Sequence, residues 1–457
     1  MGVTLRRWEF WIDVGGTFTD CIGVSPSGSL RRCKILSTLA HDDHLAEPSP
    51  IRGIRTLLEL DPGEPIPACT LRLGTTRGTN ALLTRTGART LLVTTEGFAD
   101  VLRIGNQDRP RLFDRVITKP EVLFGDVIEV RERIDASGTV ILPMDAAALT
   151  ERLRTRVADI DAVAVCFMNA YANAAHERMA AACARDAGVG HISISSDVAP
   201  TMGFIARGDT TVLDAYLNPI LESFIGEIRR ALGSASEVRL MTSRGGLVDA
   251  ASFRGRDSIL SGPAGGVIAL QHIGSTSPAC GAIGFDMGGT STDVSRVYGE
   301  PEVVFERTVA GTRIATPMVA IETVAAGGGS ICRFDGVALQ VGPNSAGAAP
   351  GPACYGAGGP LCVTDLNVFL GRVPESRFPF PLDHDAVRIR LEELADDVAS
   401  GTGARPALDA LAGSLLRVAN AMMVRPVRTI SPLSMIIRLS QPTSPCSMPS
   451  TMLTPFS

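Results

Sequence analysis

The chain has 457 residues, of which 20% are charged, and its formal net charge is −5 at pH 7. This balance, without a long basic run, argues against nucleic acid as a partner, and no apolar run reaches the length that crosses a membrane. The ten cysteines form no CxxC pair and the N-terminus lacks a signal-peptide core, which together indicate a cytoplasmic protein with reduced thiols. At this length we expect two or more domains.

The first predicted elements form a hairpin around a glycine-rich loop. An apolar run over Trp8–Ile12 leads into Asp13-Val-Gly-Gly-Thr-Phe-Thr-Asp20. A second β-like run over Cys21–Ser25 is followed by a turn and a third run over Leu30–Leu36. A P-loop would lead from its strand into a helix, and neither that motif nor a G-x-G-x-x-G fingerprint is present.

Between residues 70 and 230 the pattern alternates between strands and helices. The predicted strands are Leu71–Leu73, Arg89–Thr94, Ala162–Phe167 and Ile192–Ser195, and the predicted helices are Thr79–Arg85, Ala174–Asp186 and Thr210–Arg230. We expect an interruption of the last helix at Pro219. His176 and Glu177, at the start of a helix, are predicted to be solvent-exposed capping residues rather than catalytic ones.

The loop sequence recurs 273 residues after its first copy, as Asp286-Met-Gly-Gly-Thr-Ser-Thr-Asp293. Extended to Val24 and Val297, the two twelve-residue stretches agree at seven positions. Runs over Val294–Val297 and Val303–Glu306 are predicted to repeat the hairpin. Duplicated strand–loop–strand units are the arrangement of actin-like kinases and chaperone ATPases. We therefore expect an α/β fold whose two ribonuclease H-like halves face each other across a central cleft.

The composition changes towards the C-terminus. Residues 325–330 and 341–359 are too rich in Gly and Pro for regular structure, and helices are predicted at 385–399 and 407–424. Cys354, Cys362 and Asp365 match no standard zinc spacing. The predicted domains are 1–190, with the first loop, and 191–430, with the second. Residues 431–457, rich in Ser and Pro, are predicted to be a non-homologous or disordered tail.

The chemistry of the two loops points to phosphate and metal. Glycine lets the backbone approach a phosphate closely, threonine hydroxyls donate to its oxygens, and an aspartate at a strand end can hold a hydrated Mg²⁺. We expect the loops to clamp one nucleoside triphosphate, with Asp13 and Asp286 as catalytic residues that hold the metal through water. The predicted phosphate-binding residues are Gly15, Gly16, Thr17, Thr19, Gly288, Gly289, Thr290, Ser291 and Thr292.

Structural explanations compete with this interpretation at several positions. An aspartate can cap a tight turn, and Asp20 and Asp293 can simply brace their loops. The segment Gly74–Asn80 can line the cleft or cap a helix, and Ser261–Gly266 can bind an anion at a helix N-terminus or allow close packing. The predicted substrate or cleft residues are Thr75, Thr76, Asn80, Gly327, Gly328 and Gly329.

A string of short motifs resembles the hydantoinase A/5-oxoprolinase family, which includes acetone carboxylase β-type subunits. The motifs are Trp11-Ile-Asp-Val-Gly-Gly-Thr-Phe-Thr-Asp20, Gly74-Thr-Thr-Arg-Gly-Thr-Asn80, Asn173-Ala-Ala-His-Glu177, Ser261-Gly-Pro-Ala-Gly-Gly266, Phe285-Asp-Met-Gly-Gly-Thr-Ser-Thr-Asp-Val294, Gly327-Gly-Gly-Ser330, Pro350-Gly-Pro-Ala-Cys-Tyr355 and Thr364-Asp-Leu-Asn367. They run in family order, and a string of this length is far more specific than one glycine-rich loop.

The resemblance implies an ATP-dependent opening of cyclic amides such as 5-oxoproline or hydantoins. An amide carbonyl is a poor electrophile, and phosphorylation of its oxygen would turn that oxygen into a leaving group. The resemblance also implies ATP and Mg²⁺ as cofactors and a hydantoinase B-type partner subunit.

The chain departs from the family pattern after Val424. Members continue past this point and carry a third glycine-rich motif near the adenosine, which has no match here, so the pattern is that of a C-terminally truncated member. Smaller departures are Phe204, Ala206, Arg244 and Ala325. Three alternatives therefore stand beside the hydrolase. They are an inactive or partner-dependent remnant without the adenosine side, an ATP-dependent ketone carboxylase subunit, and a small-molecule kinase.

Overall fold

The computed structural model describes residues 7–37, 47–107, 121–275, 281–378 and 380–430, together with the single positions 113, 115, 116 and 119. The tail predicted at 431–457 lies outside these residues. Within them, none of the helices combines the length and the apolar character that a membrane crossing needs.

The strands, in chain order, are β1 Trp8–Val14, β2 Phe18–Val24, β3 Leu30–Leu36, β4 Cys69–Thr75, β5 Thr90–Thr95, β6 Asp126–Val130, β7 Arg133–Ile134, β8 Val140–Leu142, β9 Ala162–Cys166, β10 His191–Ile194, β11 Glu237–Met241, β12 Leu247–Asp249, β13 Ala282–Met287, β14 Thr292–Tyr298, β15 Glu300–Pro301, β16 Val303–Val304, β17 Arg307–Val309, β18 Thr312–Ile314, β19 Met318–Val319, β20 Ile321–Val324, β21 Ser330–Phe334 and β22 Leu339–Ser345.

The helices are α1 Ser49–Leu58, α2 Arg77–Thr84, α3 Val101–Ile104, α4 Ala146–Arg154, α5 Ala175–Asp186, α6 Ser195–Val198, α7 Phe204–Leu232, α8 Ser261–Ser275, α9 Val363–Phe369, α10 His384–Thr402 and α11 Leu408–Ile430.

The first sheet carries the first glycine-rich loop. Its strand order is β12-β11-β4-β1-β2-β3, with β1 antiparallel to β2 and parallel to β4. Residues of β1 alternate, so that Phe10, Ile12 and Val14 are buried while Trp11 and Asp13 face outward. The hairpin predicted from the sequence is confirmed, although its second strand begins at Phe18, inside the predicted loop.

The second sheet is parallel throughout, in the order β10-β9-β5-β6. Its central strand β9 is buried at every position, which is typical of a parallel sheet covered on both faces. Helix α7 packs on one face, and α4 and α5 pack on the other. The division at residue 190 stays a prediction. The first sheet takes strands from both sides of that position, because β11 and β12 follow it in the chain.

Helix α7 runs from Phe204 to Leu232 without a break, so the predicted interruption at Pro219 is wrong. Proline removes one hydrogen bond from a helix interior. Here the helix is buried along one side by apolar residues such as Leu213, Leu217 and Phe224, which pack into the same core as the first sheet. Packing of this kind stabilises a helix more than local propensity does.

The second loop joins β13 to β14, and β14 also pairs with β15 and β20. The pair β13–β14 repeats β1–β2, with Asp286 opposite Asp293 as Asp13 is opposite Asp20. The third strand differs from the prediction, because Val303–Val304 pairs with β19 instead of extending the hairpin. The strand beside Asp293 is β20, which arrives later in the chain.

The C-terminal part of the described chain packs α9, α10 and α11 around the hairpin β21–β22. Helices α10 and α11 occur where the sequence predicts them. The prediction of irregular structure at 341–359 is wrong over its first five residues, because β22 continues to Ser345 and pairs with β21. The mixed α/β class expected from the sequence is confirmed.

Candidate functional site

The first loop is a tight connection from β1 to β2. The amide of Gly15 donates to the carbonyl of Phe18 at 3.0 Å, and a Cβ on Gly15 would stand 2.9 Å from that same oxygen. Behind the loop, Ser37 donates from its hydroxyl to the Gly15 carbonyl at 2.7 Å and from its amide to the Thr17 carbonyl at 2.9 Å. The loop is therefore held in a fixed shape by the end of β3.

The second loop is held by a glycine run of its own half. Gly288 donates from its amide to the Ser291 carbonyl at 2.9 Å and accepts from Gly328 at 3.0 Å. A Cβ on Gly327 would stand 2.7 Å from the Gly288 oxygen. Glycine is needed there because the two backbones touch. The structure thus places Gly327, Gly328 and Gly329, predicted as cleft residues, directly against the second loop.

The two loops face each other. A Cβ on Gly289 would stand 2.6 Å from Oγ1 of Thr17, so the halves meet where the sequence repeats. The charge of Asp286 also reaches Asp13 and is one of the causes that raise its pKa. The structure therefore brings the tips of the two predicted loops together at Thr17 and Gly289, with Asp13 and Asp286 close enough for their charges to interact.

Both aspartates at the strand ends sit in a desolvating environment. The pKa of Asp13 is raised to about 6, first by desolvation and then by the negative charges of Asp20 and Asp286. Asp13 is nevertheless a solvent-exposed residue. Desolvation is also the largest cause that raises the pKa of Asp286.

A lysine that the sequence interpretation missed lies beside this cluster. The strand registers place Asp13 opposite Asp20, and Asp20 opposite Lys34. The Nζ atom of Lys34 is 2.9 Å from a carboxylate oxygen of Asp20. Its positive charge acts against the rise in pKa of both Asp13 and Asp286, although desolvation keeps both pKa values above the ordinary value. The available signal was the hairpin register, which pairs position 20 with position 34.

Two of the predicted phosphate donors are turned away from the cleft. Thr19 is fully buried and its hydroxyl lies 2.8 Å from that of Ser49. Thr292 is fully buried and donates to the carbonyl of Ala326 at 2.5 Å. These geometries give both threonines a bracing position behind their loops. Thr290 is exposed and Ser291 is half-buried.

The end of β4 lies beside the first loop, because β4 is the parallel neighbour of β1 and both strands end at the same edge of the sheet. The amide and the hydroxyl of Thr76 each donate to the Val14 carbonyl at 3.0 Å. Asn80 lies next to Gly16, whose Cβ position would be 3.5 Å from Nδ2. Thr75, in contrast, is fully buried, and its hydroxyl accepts from the amide of Arg77.

Helix α8 begins close to the same aspartate. A Cβ on Gly262 would stand 3.4 Å from Oδ1 of Asp13, and one on Gly74 would stand 2.8 Å from the same atom. The hydroxyl of Ser261 donates to the Thr75 carbonyl at 3.0 Å. A Cβ on Gly262 would therefore make an ordinary van der Waals contact, and both interpretations of the Ser261–Gly266 motif, anion binding and close packing, stay predictions.

His176 and Glu177 are buried, so the prediction of solvent-exposed caps is wrong. His176 Nδ1 lies 2.6 Å from a Glu132 oxygen. Glu177 accepts from the Ser195 hydroxyl at 2.6 Å, and Ser195 accepts in turn from Arg207 at 2.9 Å. Desolvation raises the pKa of Glu177. Glu132 and Ser195 follow the ends of β6 and β10, and Glu177 also accepts from the amide of Phe167, after β9, at 2.9 Å. These hydrogen bonds connect the ends of the parallel strands.

Cys354, Cys362 and Asp365, which match no standard zinc spacing in the sequence, lie together around a set of backbone hydrogen bonds. Asp365 accepts from the amides of Ala353, Cys354 and Cys362 at 3.1, 2.8 and 2.7 Å. This carboxylate therefore has a structural position, in which it connects three backbone N–H groups. In the part of the chain that the structure describes, no group of three or more His, Cys, Asp or Glu residues has a metal-binding arrangement.

A cavity of about 340 Å³ lies apart from the loops, between α3, the start of α7 and the hairpin β17–β18. Asp209 and Arg313 form an ion pair at 3.2 Å on its wall. Desolvation raises the pKa of Asp209 to about 6. None of the predicted phosphate-binding residues lines this cavity.

The chain matches two family descriptions and several named proteins. The hydantoinase/oxoprolinase model covers residues 207–435, and the model of the hydantoinase/oxoprolinase N-terminal region covers residues 9–188. The chain is 38% identical to 5-oxoprolinase of Saccharomyces cerevisiae over 92% of its own length and 36% of that protein. It is 33% identical to caprolactamase subunit alpha of Pseudomonas jessenii, over 93% of its own length and 63% of that protein.

Two solved structures share the fold. The ATP-dependent caprolactamase from Pseudomonas jessenii superposes with a TM-score of 0.71 at 31% identity, over 93% of this chain and 63% of that one. Nucleotide-free acetone carboxylase superposes with a TM-score of 0.76 at 22% identity, over 92% of this chain and 62% of that one. The chain thus spans a little over a third of the Saccharomyces cerevisiae 5-oxoprolinase and under two thirds of the caprolactamase subunit. On the family models and these relatives, the chain belongs to the hydantoinase/oxoprolinase family.

Proposed function

We propose that this chain provides the ATP-binding part of an enzyme that opens cyclic amides of the 5-oxoproline or hydantoin type. The observation that carries the proposal is the contact between the duplicated loops, which sets Asp13 and Asp286 on facing halves of one cleft. The proposal is supported by similarity to proteins named 5-oxoprolinase and caprolactamase subunit alpha.

The two aspartates fit a magnesium ion. Mg²⁺ prefers oxygen ligands and commonly uses one or two protein carboxylates, with phosphate oxygens and water completing its shell. The raised pKa values of Asp13 and Asp286 reflect desolvated negative charge, which a divalent cation would compensate. When bound, the ion would neutralise charge on the terminal phosphates of ATP. We assign Asp13 and Asp286 to hold it through water.

Hydroxyls and amides at the cleft are suited to the phosphates. Thr290 and Ser291 lie at the tip of the second loop with side chains that are exposed or half-buried, and their hydroxyls and the backbone N–H groups of both loops can donate to phosphate oxygens. Thr17, at the tip of the first loop, is buried against Gly289, and we assign it to set the gap between the loops. We assign Thr19 and Thr292 to hold the loop shapes, in agreement with their buried hydrogen bonds. Preorganised donors of this kind need no reorganisation when charge develops in the transition state.

The reaction that this arrangement suits begins at the amide oxygen. That oxygen attacks the γ-phosphorus, and the bond from the phosphorus to ADP breaks. Water then adds to the activated carbon, and the ring C–N bond breaks with the nitrogen taking a proton. The resulting acyl phosphate consumes a second water and releases phosphate. Thr76 and Asn80 lie beside the first loop and are our candidates for the substrate side.

A partner subunit of the hydantoinase B type is part of the proposal, and a cytoplasmic location is its expected setting. The relative from Pseudomonas jessenii is named as a subunit, which supports an assembly of more than one chain. The likeness to acetone carboxylase, at 22% identity, is a likeness of fold. Ketone carboxylation therefore stays the weaker candidate.

Calorimetry with Mg-ATP tests the site. Asp286→Ala should abolish binding, whereas Asp249→Ala, an exposed aspartate on β12, should bind as the unchanged chain does. ATP hydrolysis should then be stimulated by 5-oxoproline, hydantoin or caprolactam, with or without a co-purified partner. Undiminished binding by Asp286→Ala would refute the site. Binding without any stimulation would favour a remnant that has lost turnover.

A further inference from the structure

Lys34 is the third member of a row of charged residues that crosses the cleft face of the first sheet. The registers of β1, β2 and β3 place Asp13, Asp20 and Lys34 directly opposite one another. Nζ of Lys34 lies 3.0 and 2.9 Å from the two carboxylate oxygens of Asp20. Strand β2, which carries Asp20, therefore lies between the strand of Lys34 and the strand of Asp13.

The same row in the second half ends without a charge. There Asp286 is opposite Asp293, and Asp293 is opposite Thr323 of β20. The Thr323 hydroxyl donates to Asp293 at 2.6 Å. The duplication thus provides an internal comparison, in which a hydroxyl bonds the second aspartate of the row while Arg307 acts on it through its charge. A direct ion pair, as Lys34 makes with Asp20, is more than the bracing of this row requires.

The position of Lys34 allows its ammonium to exchange partners. The Lys34 and Asp20 side chains are 37% and 57% exposed, and ion pairs of this kind are weak because water competes for both charges. Lysine is a compact charge on a flexible stem, whereas arginine holds a carboxylate in a rigid fork. Lys34 and Lys119 are the only lysines among the 43 basic residues of the chain.

The field of Lys34 already reaches both sides of the cleft, since its charge acts on Asp13 and on Asp286. We propose that Lys34 is a phosphate-binding residue, whose ammonium turns from Asp20 to an oxygen of the nucleotide held between the two loops. This inference rests on the proposed function. It adds a direct contact that the loop motifs do not contain.

A double-mutant cycle separates direct contact from simple neutralisation of Asp20. Mg-ATP affinity is measured by calorimetry for the unchanged chain, Lys34→Met, Asp20→Asn and the double variant, after circular dichroism has confirmed that each is folded. Lys34→Met should weaken binding roughly tenfold to a hundredfold, the range for a hydrogen bond to a charged group. The same loss should persist in the Asp20→Asn background, because the lost partner is the phosphate.

Arg32→Gln is the matched control. Arg32 lies on the same face of β3, two residues from Lys34, and its removal takes away one positive charge about 7 Å further along the strand. It should change the affinity less than threefold. A double variant that binds like Asp20→Asn alone would overturn the inference, as would an equal loss in Arg32→Gln. If the unchanged chain itself fails to bind Mg-ATP, the proposed function falls as well. Binding that Asp286→Ala abolishes and Lys34→Met leaves intact refutes only the role of Lys34.

Discussion

Oγ1 of Thr17 in the first loop lies 2.6 Å from the point at which Gly289 of the second loop would carry a Cβ. Thr17 is buried, so its hydroxyl has little room to move away. The closest approach between the two copies of the motif therefore depends on a missing side chain. The distance between the loops, and with it the width of the proposed phosphate clamp, is set at this contact.

Gly289→Ala should force the loops apart and weaken Mg-ATP binding at least tenfold, because donors about 3 Å from a phosphate lose their contact when displaced by about 1 Å. Calorimetry measures the affinity. Gly226→Ala in α7, where a Cβ would meet nothing within 4 Å, is the control and should bind normally. Equal affinities for the two variants would show that the contact does not set the clamp.

The raised pKa of Asp13 makes stability depend on pH. The folded-state value of about 6 lies above the ordinary 3.8, so the folded chain retains a proton that the unfolded chain has lost between pH 4 and pH 6. This stabilisation is complete below pH 4 and is lost as the pH rises through 6. The shift corresponds to at most about 3 kcal/mol, which solvent screening at this exposed position reduces to about 1 kcal/mol.

Asp13→Asn should therefore raise the unfolding temperature relative to the unchanged chain at pH 8, in buffer without metal or nucleotide. The difference should shrink as the pH is lowered towards 4, because the native carboxyl is then neutral as well. Thermal unfolding at pH 8, 6 and 4 measures the trend. An advantage of the same size at all three values would contradict the assigned pKa.

The helix behind the first loop depends on a glycine that faces a thiol. A Cβ on Gly53 of α1 would overlap Sγ of Cys21 on β2, whereas Cβ of Cys21 is 3.4 Å from the same point. Gly53→Ala should destabilise the protein by about 1–3 kcal/mol through overpacking. In a Cys21→Ala background the same change should become neutral or stabilising by up to about 1 kcal/mol, since alanine favours a helix. Urea unfolding of the four chains tests this reversal, and an unchanged penalty would refute the contact.

The buried guanidinium of Arg207 joins the ends of two strands of the second sheet. It donates to the Phe167 carbonyl at 2.8 Å and to Ser195 at 2.9 Å. Arg207→Met should cost about 3–5 kcal/mol, because it leaves the buried Phe167 carbonyl and Ser195 hydroxyl without their donor, at about 1–3 kcal/mol for each unsatisfied group. Arg229→Met, exposed on the same helix, should stay within about 0.5 kcal/mol. A small loss for Arg207→Met in urea unfolding would mean that the network is dispensable.

Local patterns explain why much of the fold could be predicted. The alternation in β1, the apolar run of β9 and the helix-forming stretch of α5 each record whether a segment is buried on one face or on both. The duplicated loops likewise predicted two hairpins with matching ends. Predictions were wrong where distant packing overrides local signals, as at Pro219, which α7 tolerates because its apolar side is buried in the core.

The sequence by itself determined the twin loops, the strands that carry them and the family, because these depend on residue order over short stretches. Only the tertiary structure decided which residues meet. It placed Gly327 behind the second loop and turned the Thr19 hydroxyl away from the cleft. The physical reason is that contacts between segments far apart in the sequence, and the burial that results from them, are not encoded in local periodicity.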